Sequence, residues 1–379
     1  MPLPTIKNCF SPPNYWIIRK LHKCCQPAPP LPLTTERPIS LQQKYTSARP
    51  FCNILRYGEI LNSLIVKLNY NIIWQKLERY LTRQPNLPIS RIVAYRAQTA
   101  VVSGLLWLLH LLRYQTRLRF GGWVFSRCVA PLSGYRERIL ANLQLIFPKL
   151  SVAQAELLSL QISSNIGITL TELFSPDEFV AKNSRYILLG SGFEALQAAH
   201  TQNRPSIVVS GHFGNYDVVR SNLIQHGLDV GGLYRRMNNP YFHELYIRSI
   251  SKIGDRLFER GRPGLKQMLI FLKAGGTLAV LIDQRMSAGT NLDFMGQPAY
   301  TALSIAELAL KLDALVVPAY AVRQADLSYQ IRFEDPILHS TPEQMTQALN
   351  DSLSQQVHAH PEQWFWIHRR WKQMDDTNI

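Results

Sequence analysis

The sequence predicts an α/β fold, a mainly parallel sheet flanked by helices, with a helical membrane-associating region before it. Two observations predict the sheet: short aliphatic runs in the second half of the chain, and segments of helical periodicity between them. Such alternation is typical of parallel sheets wrapped by helices. A third observation concerns charge. Residues 1–150 hold 21 Lys and Arg against 4 Asp and Glu, interleaved with apolar side chains. Basic and apolar residues together favour an anionic membrane surface.

Residues 1–50 predict a Pro-rich disordered leader, because ten prolines fall there without helical or strand periodicity. The segment lacks the compact apolar run and small-residue cleavage site of a signal peptide. A start codon further into the chain is the alternative interpretation.

Residues 51–133 predict a basic helical region that associates with membranes. Its most apolar run, Ala97–Leu112, contains Trp107 and is followed by Arg113, Arg117 and Arg119. A spanning helix needs about 20 apolar residues, and this run is shorter. The helix therefore either spans marginally or lies in the membrane interface. A buried core helix is the structural alternative.

Residues 134–379 predict the α/β domain. Four aliphatic runs indicate strands, and four amphipathic segments between or beside them indicate helices. The predicted strands are Ser206–Ser210, Leu278–Ile282, Leu315–Val322 and Tyr329–Phe333. The predicted helices are Val218–Gln225, Tyr241–Ile253, Gly264–Lys273 and Ala302–Leu312.

Composition excludes several classes of protein. The five cysteines form no CxxC pair and no Cys/His ligand spacing, so neither a disulfide framework nor a structural zinc site is expected. The sequence pI of about 9.7 would suit a nucleic-acid binder, but no nucleic-acid motif accompanies the charge. A hydrolase would need a nucleophile such as the serine of a G-x-S-x-G turn, and the sequence has none.

The segment Ser210–Asp217 (SGHFGNYD) carries the strongest chemical signal. A strand ends, two glycines allow a tight turn, and a helix follows. Across that turn the carboxylate of Asp217 could meet His212 and hold its tautomer. A histidine held in this way can deprotonate a hydroxyl. Taken alone the pattern is weak, and a histidine bonded to a loop carbonyl is the structural alternative.

Further segments make the pattern specific. They are RERILANLQLIFP (136–148), GHFGNYD (211–217), LYRRMNNP (233–240), LIDQRMSAG with FMGQPAYTA (281–302) and HPEQWFWIHRRWK (360–372). In this order they resemble the blocks of the bacterial lipid A biosynthesis acyltransferases, the late acyltransferases of the wider H-x4-D/E lysophospholipid acyltransferase group. The resemblance covers roughly residues 95–373. It implies a glycerolipid-acyltransferase-like fold.

The resemblance implies transfer of a fatty acyl chain from acyl carrier protein to a hydroxyl of a lipid A precursor. His212 would be the general base and Asp217 its orienting partner, with backbone N–H groups around Phe213–Asn215 as some of the oxyanion donors. Arg235 matches the arginine of the second block and suits a phosphate or an oxyanion.

Three further residues are candidates for substrate binding. Asp283 and Gln284 follow a predicted strand, at the edge where ligands gather in open α/β sheets. Asn239 either binds substrate or caps the next helix. No metal or organic cofactor is expected.

The expected place of action is the cytoplasmic face of a bacterial inner membrane. Many lipid A members carry Glu where this chain has Asp217, so a lysophospholipid or ornithine-lipid acyltransferase with the same dyad is the alternative. A different class, a non-catalytic membrane-binding scaffold, would not need the His212 pair. The expected partners are acyl carrier protein, the lipid acceptor and an anionic membrane surface, without nucleic acid.

Overall fold

The computed structural model describes residues 87–183, 186–286 and 289–371. All of them belong to the unit that spans Gln84–Ile379. The predicted leader, residues 1–50, and the first part of the predicted helical region, residues 51–86, lie outside the described residues.

The described chain begins with helices. Pro88 precedes the first of them. At this position its missing N–H does not cost the helix a hydrogen bond. The helices are α1 (Ile89–His110), α2 (Tyr114–Val124), α3 (Tyr135–Ile146), α4 (Val152–Leu173) and α5 (Pro176–Asn183). A π-helical turn, Phe125–Val129, and a short turn, Ala130–Leu132, join α2 to α3.

The apolar run predicted at Ala97–Leu112 forms most of α1, which ends at His110. Among the described residues, α1 is the one helix that is long and apolar enough to cross a membrane. Only 11% of its most apolar 18-residue stretch is buried. The alternative of a buried core helix is therefore wrong.

A seven-stranded sheet with helices between its strands follows. The strands are β1 (Ile187–Leu189), β2 (Ser206–Ser210), β3 (Val230–Tyr234), β4 (Leu257–Glu259), β5 (Thr277–Leu281), β8 (Leu315–Arg323) and β9 (Tyr329–Phe333). Two further strands, β6 (Thr290–Phe294) and β7 (Gln297–Thr301), form a separate antiparallel hairpin. The helices are α6 (Gly192–Thr201), α7 (Asp217–Gln225), α8 (Pro240–Ile253), α9 (Arg262–Lys273), α10 (Ser304–Leu312) and α11 (Pro342–Ala359).

The strand order is β1-β9-β8-β2-β5-β3-β4. Every neighbouring pair is parallel except β8 and β9. The predicted mainly parallel sheet and all four predicted strands are confirmed. The helices at α7, α8, α9 and α10 also lie where their periodicity predicted them.

Alternate residues of β2 pack on opposite faces of the sheet, as the two-residue strand period requires. Val208 joins a cluster with α7 and α8, whereas Ile207 and Val209 join a cluster with α9 and α10. β2 is buried on both faces and lies at the centre of the sheet. Its carboxyl end is therefore held rigidly.

Candidate active site

His212 lies two residues beyond the carboxyl end of β2, in the turn that leads to α7. Its side chain is 19% exposed. Gly214 makes this turn possible because its φ is +52°, and an added Cβ would lie 2.1 Å from the carbonyl oxygen of Ala321. Only glycine adopts this conformation at such a close approach without strain.

Asp283 is the carboxylate that meets His212. Ser210 of β2 stands opposite Leu281 of β5, so the residues two positions further on also face each other. The Nδ1 atom of His212 lies 2.7 Å from Oδ1 of Asp283. The backbone N–H of His212 donates to Oδ2 at 2.7 Å, and Nε1 of Trp364 donates to the same oxygen at 2.8 Å. Both carboxylate oxygens are thus engaged.

The Asp283 side chain is completely buried. Burial by itself raises the pKa of Asp283, but the neighbouring His212 charge and hydrogen bonds outweigh it and hold the pKa below the usual range. A buried carboxylate that accepts several hydrogen bonds stays ionised. It therefore fixes the Nδ1–H tautomer of His212 and leaves Nε2 as the basic nitrogen.

Asp217 does not fill the role that the sequence suggested for it. Oδ1 of Asp217 accepts a 2.7 Å bond from Nε of Arg220, one turn further along α7. Arg220 also donates to the carbonyl oxygens of Gly254 and Ile250. Among the described residues no hydrogen bond joins Asp217 to His212. The reason is that Asp217 is the first residue of α7, and it pairs with the cation three residues on along the same helix.

Asn215 is also structural rather than exposed to substrate. It is fully buried; its Oδ1 accepts from the N–H of Asp217 and its Nδ2 donates to Glu172. Glu172 in turn accepts from Arg323 and Tyr329, both buried. This network anchors the turn to α4, β8 and β9.

One of the expected oxyanion donors around Phe213–Asn215 is occupied, and so is the neighbouring N–H group of His212. The N–H of Gly214 donates to the carbonyl of Gln363 at 2.8 Å, and the N–H of His212 is bound to Asp283. The cause is a bridge between Phe213 and Trp364, which brings the C-terminal segment against the turn. These two N–H groups are unavailable to a substrate.

The remaining predicted site residues lie at the same sheet edge with different surroundings. Asn239 is the N-cap of α8: its Oδ1 accepts from the N–H groups of Tyr241 and Phe242, and its Nδ2 donates to the carbonyl of Tyr95 in α1. This favours the structural alternative for Asn239. Gln284 is exposed beside Asp283. Arg235 is exposed beyond β3, and its Nη1 lies 3.5 Å from Oδ1 of Asn238.

Arg235 belongs to a cationic edge, which we define as the arginines that follow the carboxyl ends of neighbouring strands. The register places Tyr234 of β3 opposite Glu259 of β4, so the arginines after these strands are neighbours. The members are Arg235 and Arg236 after β3, Arg260 after β4 and Arg285 after β5. This edge adjoins the strands that carry His212 and Asp283.

An apolar cleft lies beside the turn. It is formed by β2, β3 and β5 on one side and by Tyr216, Tyr246 and Ile250 on the other, and it measures about 530 Å³ with its open mouth. The Tyr216 ring lies 5.3 Å from the His212 ring, centroid to centroid. Tyr216 therefore borders both the cleft and the His212 ring.

Sequence reasoning missed Trp364 and His368 as site residues. Both lie in the C-terminal block 360–372, which resembles a family block, but no local sequence pattern predicts that this block lies beside β2. The ring of His368 stands perpendicular to that of His212, with centroids 4.6 Å apart.

Nitrogen and oxygen atoms of His212, Asp283 and His368 lie within 4.8 Å of one another, a spacing that a metal ion could bridge. An ion bound there would have to compete with the hydrogen bonds between His212, Asp283 and Trp364. The expectation of no metal stays a prediction.

Comparison with known proteins identifies the family of the chain. The model of the bacterial lipid A biosynthesis acyltransferase family matches residues 88–373. The chain is 28% identical over 287 residues to the lipid A biosynthesis palmitoleoyltransferase of Escherichia coli (strain K12), which covers 71% of this chain and 89% of that protein. It is 25% identical over 284 residues to the lipid A biosynthesis lauroyltransferase of the same strain, with the same coverage.

The chain is also similar to the phosphatidylinositol mannoside acyltransferase of Mycobacterium tuberculosis (strain CDC 1551 / Oshkosh). This shorter match is 22% identical over 188 residues and covers 48% of this chain and 58% of that protein. These relatives are all acyltransferases, and the family model spans most of this chain. The chain is therefore an acyltransferase and belongs to the bacterial lipid A biosynthesis acyltransferase family.

Proposed function

We propose that the enzyme transfers a fatty acyl chain from the thioester of acyl carrier protein to a hydroxyl of a lipid A precursor, with His212 as general base and Asp283 as its orienting partner. The observation that carries this proposal is the 2.7 Å bond between Nδ1 of His212 and the buried Asp283. Asp283 replaces Asp217 as the dyad carboxylate.

The reaction needs one proton shuttle. The acceptor oxygen attacks the thioester carbonyl while Nε2 of His212 takes the hydroxyl proton. The resulting imidazolium is stabilised by Asp283. The C–S bond then breaks, and His212 returns the proton to the departing thiolate. The products are the ester and the free thiol of the carrier, so atoms and charges balance.

Charge supports both proposed substrates. A lipid A precursor carries phosphates, and the guanidinium fork of Arg235 suits phosphate oxygens. The cationic edge places Arg235, Arg236 and Arg260 within a few strand spacings of His212, each about 4.8 Å. Acyl carrier protein is acidic, so basic residues around the site also favour encounter with it.

The apolar cleft supports an acyl-chain site. Its wall of strand residues includes Val208 and Ala279, and it opens beside Tyr216. An acyl chain laid there would bring its thioester toward His212.

We further propose that the enzyme acts at the cytoplasmic face of a bacterial inner membrane. Large apolar side chains are exposed in the helical region, including Trp107 at 65% and Trp123 at 53%. Phe120 stacks on Trp123 at 5.6 Å, which forms an aromatic surface of the kind found at membrane interfaces.

The test is an acyl-transfer assay with purified full-length protein in detergent. Labelled acyl carrier protein is offered with a lipid A precursor, a lysophospholipid or an ornithine lipid, to wild type and to His212→Ala. We expect transfer to the lipid A precursor that the mutant loses. Transfer to one of the other lipids alone would keep the dyad and change the acceptor. Transfer undiminished in His212→Ala would refute the mechanism, and no transfer to any acceptor would favour the scaffold alternative.

A further inference from the structure

His368 contacts the proposed base without a role in the proton shuttle described above. It lies in the segment that follows a short 3₁₀ turn, Pro361–Gln363. Its ring stands edge-on to His212 and 4.7 Å from the ring of Phe365. The backbone carbonyl of His368 accepts a 3.0 Å bond from Nδ2 of Asn142. The imidazole is thus held in place by aromatic contacts and by a fixed backbone.

The Nε2 atom of His368 is buried and has no hydrogen-bond partner among the residues that the structure describes. An unsatisfied buried polar atom costs about 1–3 kcal/mol, and such atoms in native structures call for an explanation. His368 also lies within the same small cluster as the reactive atoms of His212 and Asp283. A group from a bound substrate is the simplest partner for a nitrogen in this position.

The imidazole of His368 is neutral at ordinary pH. Burial lowers its pKa to about 3, and the neighbouring His212, Arg370 and Arg138 add to this effect against the opposing Asp283. A neutral imidazole carries one N–H donor. It also places no second positive charge beside the His212 imidazolium that forms during transfer.

The reaction requires positioned donors, and two N–H groups of the turn are already occupied. The thioester carbonyl becomes an oxyanion when the hydroxyl attacks, and such charge is stabilised by positioned N–H groups. The N–H groups of His212 and Gly214 are already bound to Asp283 and Gln363. A neutral histidine that acts as an electrophile beside a general base has precedent in other enzymes.

We propose that His368 is an oxyanion-stabilising catalytic residue, whose Nε2–H donates to the carbonyl oxygen of the acyl thioester as His212 deprotonates the acceptor. The inference rests on the proposed function. It assigns the two imidazoles different tasks: His212 moves the proton, and His368 binds the developing negative charge without itself transferring a proton.

The test compares His368→Leu, His368→Gln and His368→Asn in the same full-length enzyme. The amide nitrogen of Gln reaches the position of Nε2, whereas that of Asn corresponds to Nδ1. Loss of one oxyanion donor lowers kcat by about 10²- to 10³-fold. We expect that loss in Leu and Asn with KM nearly unchanged, and partial recovery in Gln. Thermal unfolding of each variant establishes that it is folded.

A second readout does not depend on turnover. The carbonyl stretch of a bound acyl-ketone analogue of the donor, with CH₂ in place of sulfur, is measured by infrared spectroscopy. We expect a shift to lower frequency in wild type and in Gln that is absent in Leu. The role of His368 would be overturned if His368→Leu kept the wild-type kcat and the ketone stretch were unshifted in wild type as well as in the variants. The proposed function would remain intact. Absence of transfer by wild type itself would overturn the proposed function and this inference with it.

Discussion

At the scale of single residues, two buried carboxylates near the turn have different partners. Asp283 binds His212 and Trp364, whereas Asp217 binds Arg220. Each carboxylate is buried, so each depends on its partner for its charge. We therefore propose that Asp283 takes part in the chemistry, whereas Asp217, through Arg220, attaches α7 to α8.

Asp283→Asn and Asp217→Asn separate these roles. We expect Asp283→Asn to lower kcat by about 10²- to 10⁴-fold, because the imidazole loses the carboxylate that fixes its tautomer. Asp217→Asn breaks a buried ion pair and lowers the free energy of unfolding by up to about 3–5 kcal/mol, while the folded enzyme retains most of its rate. Initial rates and urea unfolding of both variants provide the comparison. If Asp217→Asn lost activity and Asp283→Asn kept it, Asp217 would be the dyad carboxylate.

His368 predicts a pH dependence of stability. Its pKa is about 3 in the folded protein against an ordinary 6.5, so between these values the unfolded chain binds a proton that the folded chain does not. Stability is therefore full above pH 6.5 and falls as the pH drops toward 3. Unfolding measured from pH 7.5 to 4.5 should show a flatter dependence in His368→Gln than in wild type. Equal slopes would mean that His368 contributes nothing to the acid sensitivity.

At the scale of elements, α2 and α4 approach closely because glycines face each other. A Cβ on Gly167 of α4 would lie 2.6 Å from the carbonyl oxygen of Gly121 and 2.5 Å from Cβ of Phe125. α4 also carries Glu172 and Thr169, which bind Arg323 beneath the turn. The helix crossing thus joins the N-terminal helices to the foundation of the site.

Gly167→Ala should push these helices apart. We expect the free energy of unfolding to fall by about 1–3 kcal/mol through overpacking. Gly104→Ala in α1 is the matched control, because none of the described residues lies within 4 Å of its added Cβ. Alanine in place of glycine stabilises an exposed helix by up to about 1 kcal/mol. Urea unfolding of both variants measures the difference. A Gly167→Ala protein as stable as the control would contradict the close crossing.

At the scale of the whole molecule, the exposed surface of the N-terminal helices supports the proposed membrane association. Apolar side chains of α1 and α2 are exposed to an extent unusual for a soluble surface, and basic residues such as Arg119 and Arg127 lie among them. Arginine beside interfacial tryptophan suits an anionic bilayer. We therefore expect the N-terminal helices to carry part of the membrane affinity.

The double variant Trp107→Ser/Trp123→Ser should bind vesicles of phosphatidylethanolamine and phosphatidylglycerol more weakly than wild type. Leu338→Ser is the control, because Leu338 is 85% exposed but lies between β9 and α11. Co-sedimentation at low and high salt measures both the apolar and the charge contributions. Equal loss of binding in the control, or none in the double variant, would remove the membrane role of this aromatic surface.

The sequence by itself determined the local elements. Two-residue and 3.6-residue periodicities located β2, β5, β8 and β9 and four of the helices, since these patterns report which side of a segment faces the core. It also singled out His212 and Asp283, each from the end of a strand. Local patterns could not pair them.

Only the tertiary structure decided which carboxylate serves the histidine. His212 and Asp283 are 71 positions apart, and they meet because β5 lies beside β2 with Ser210 opposite Leu281. The C-terminal segment reaches the site through its bridge at Phe213, which brings Trp364 and His368 to the same pair. Strand order and segment docking depend on long-range packing, and periodicity within a short window carries no information about either.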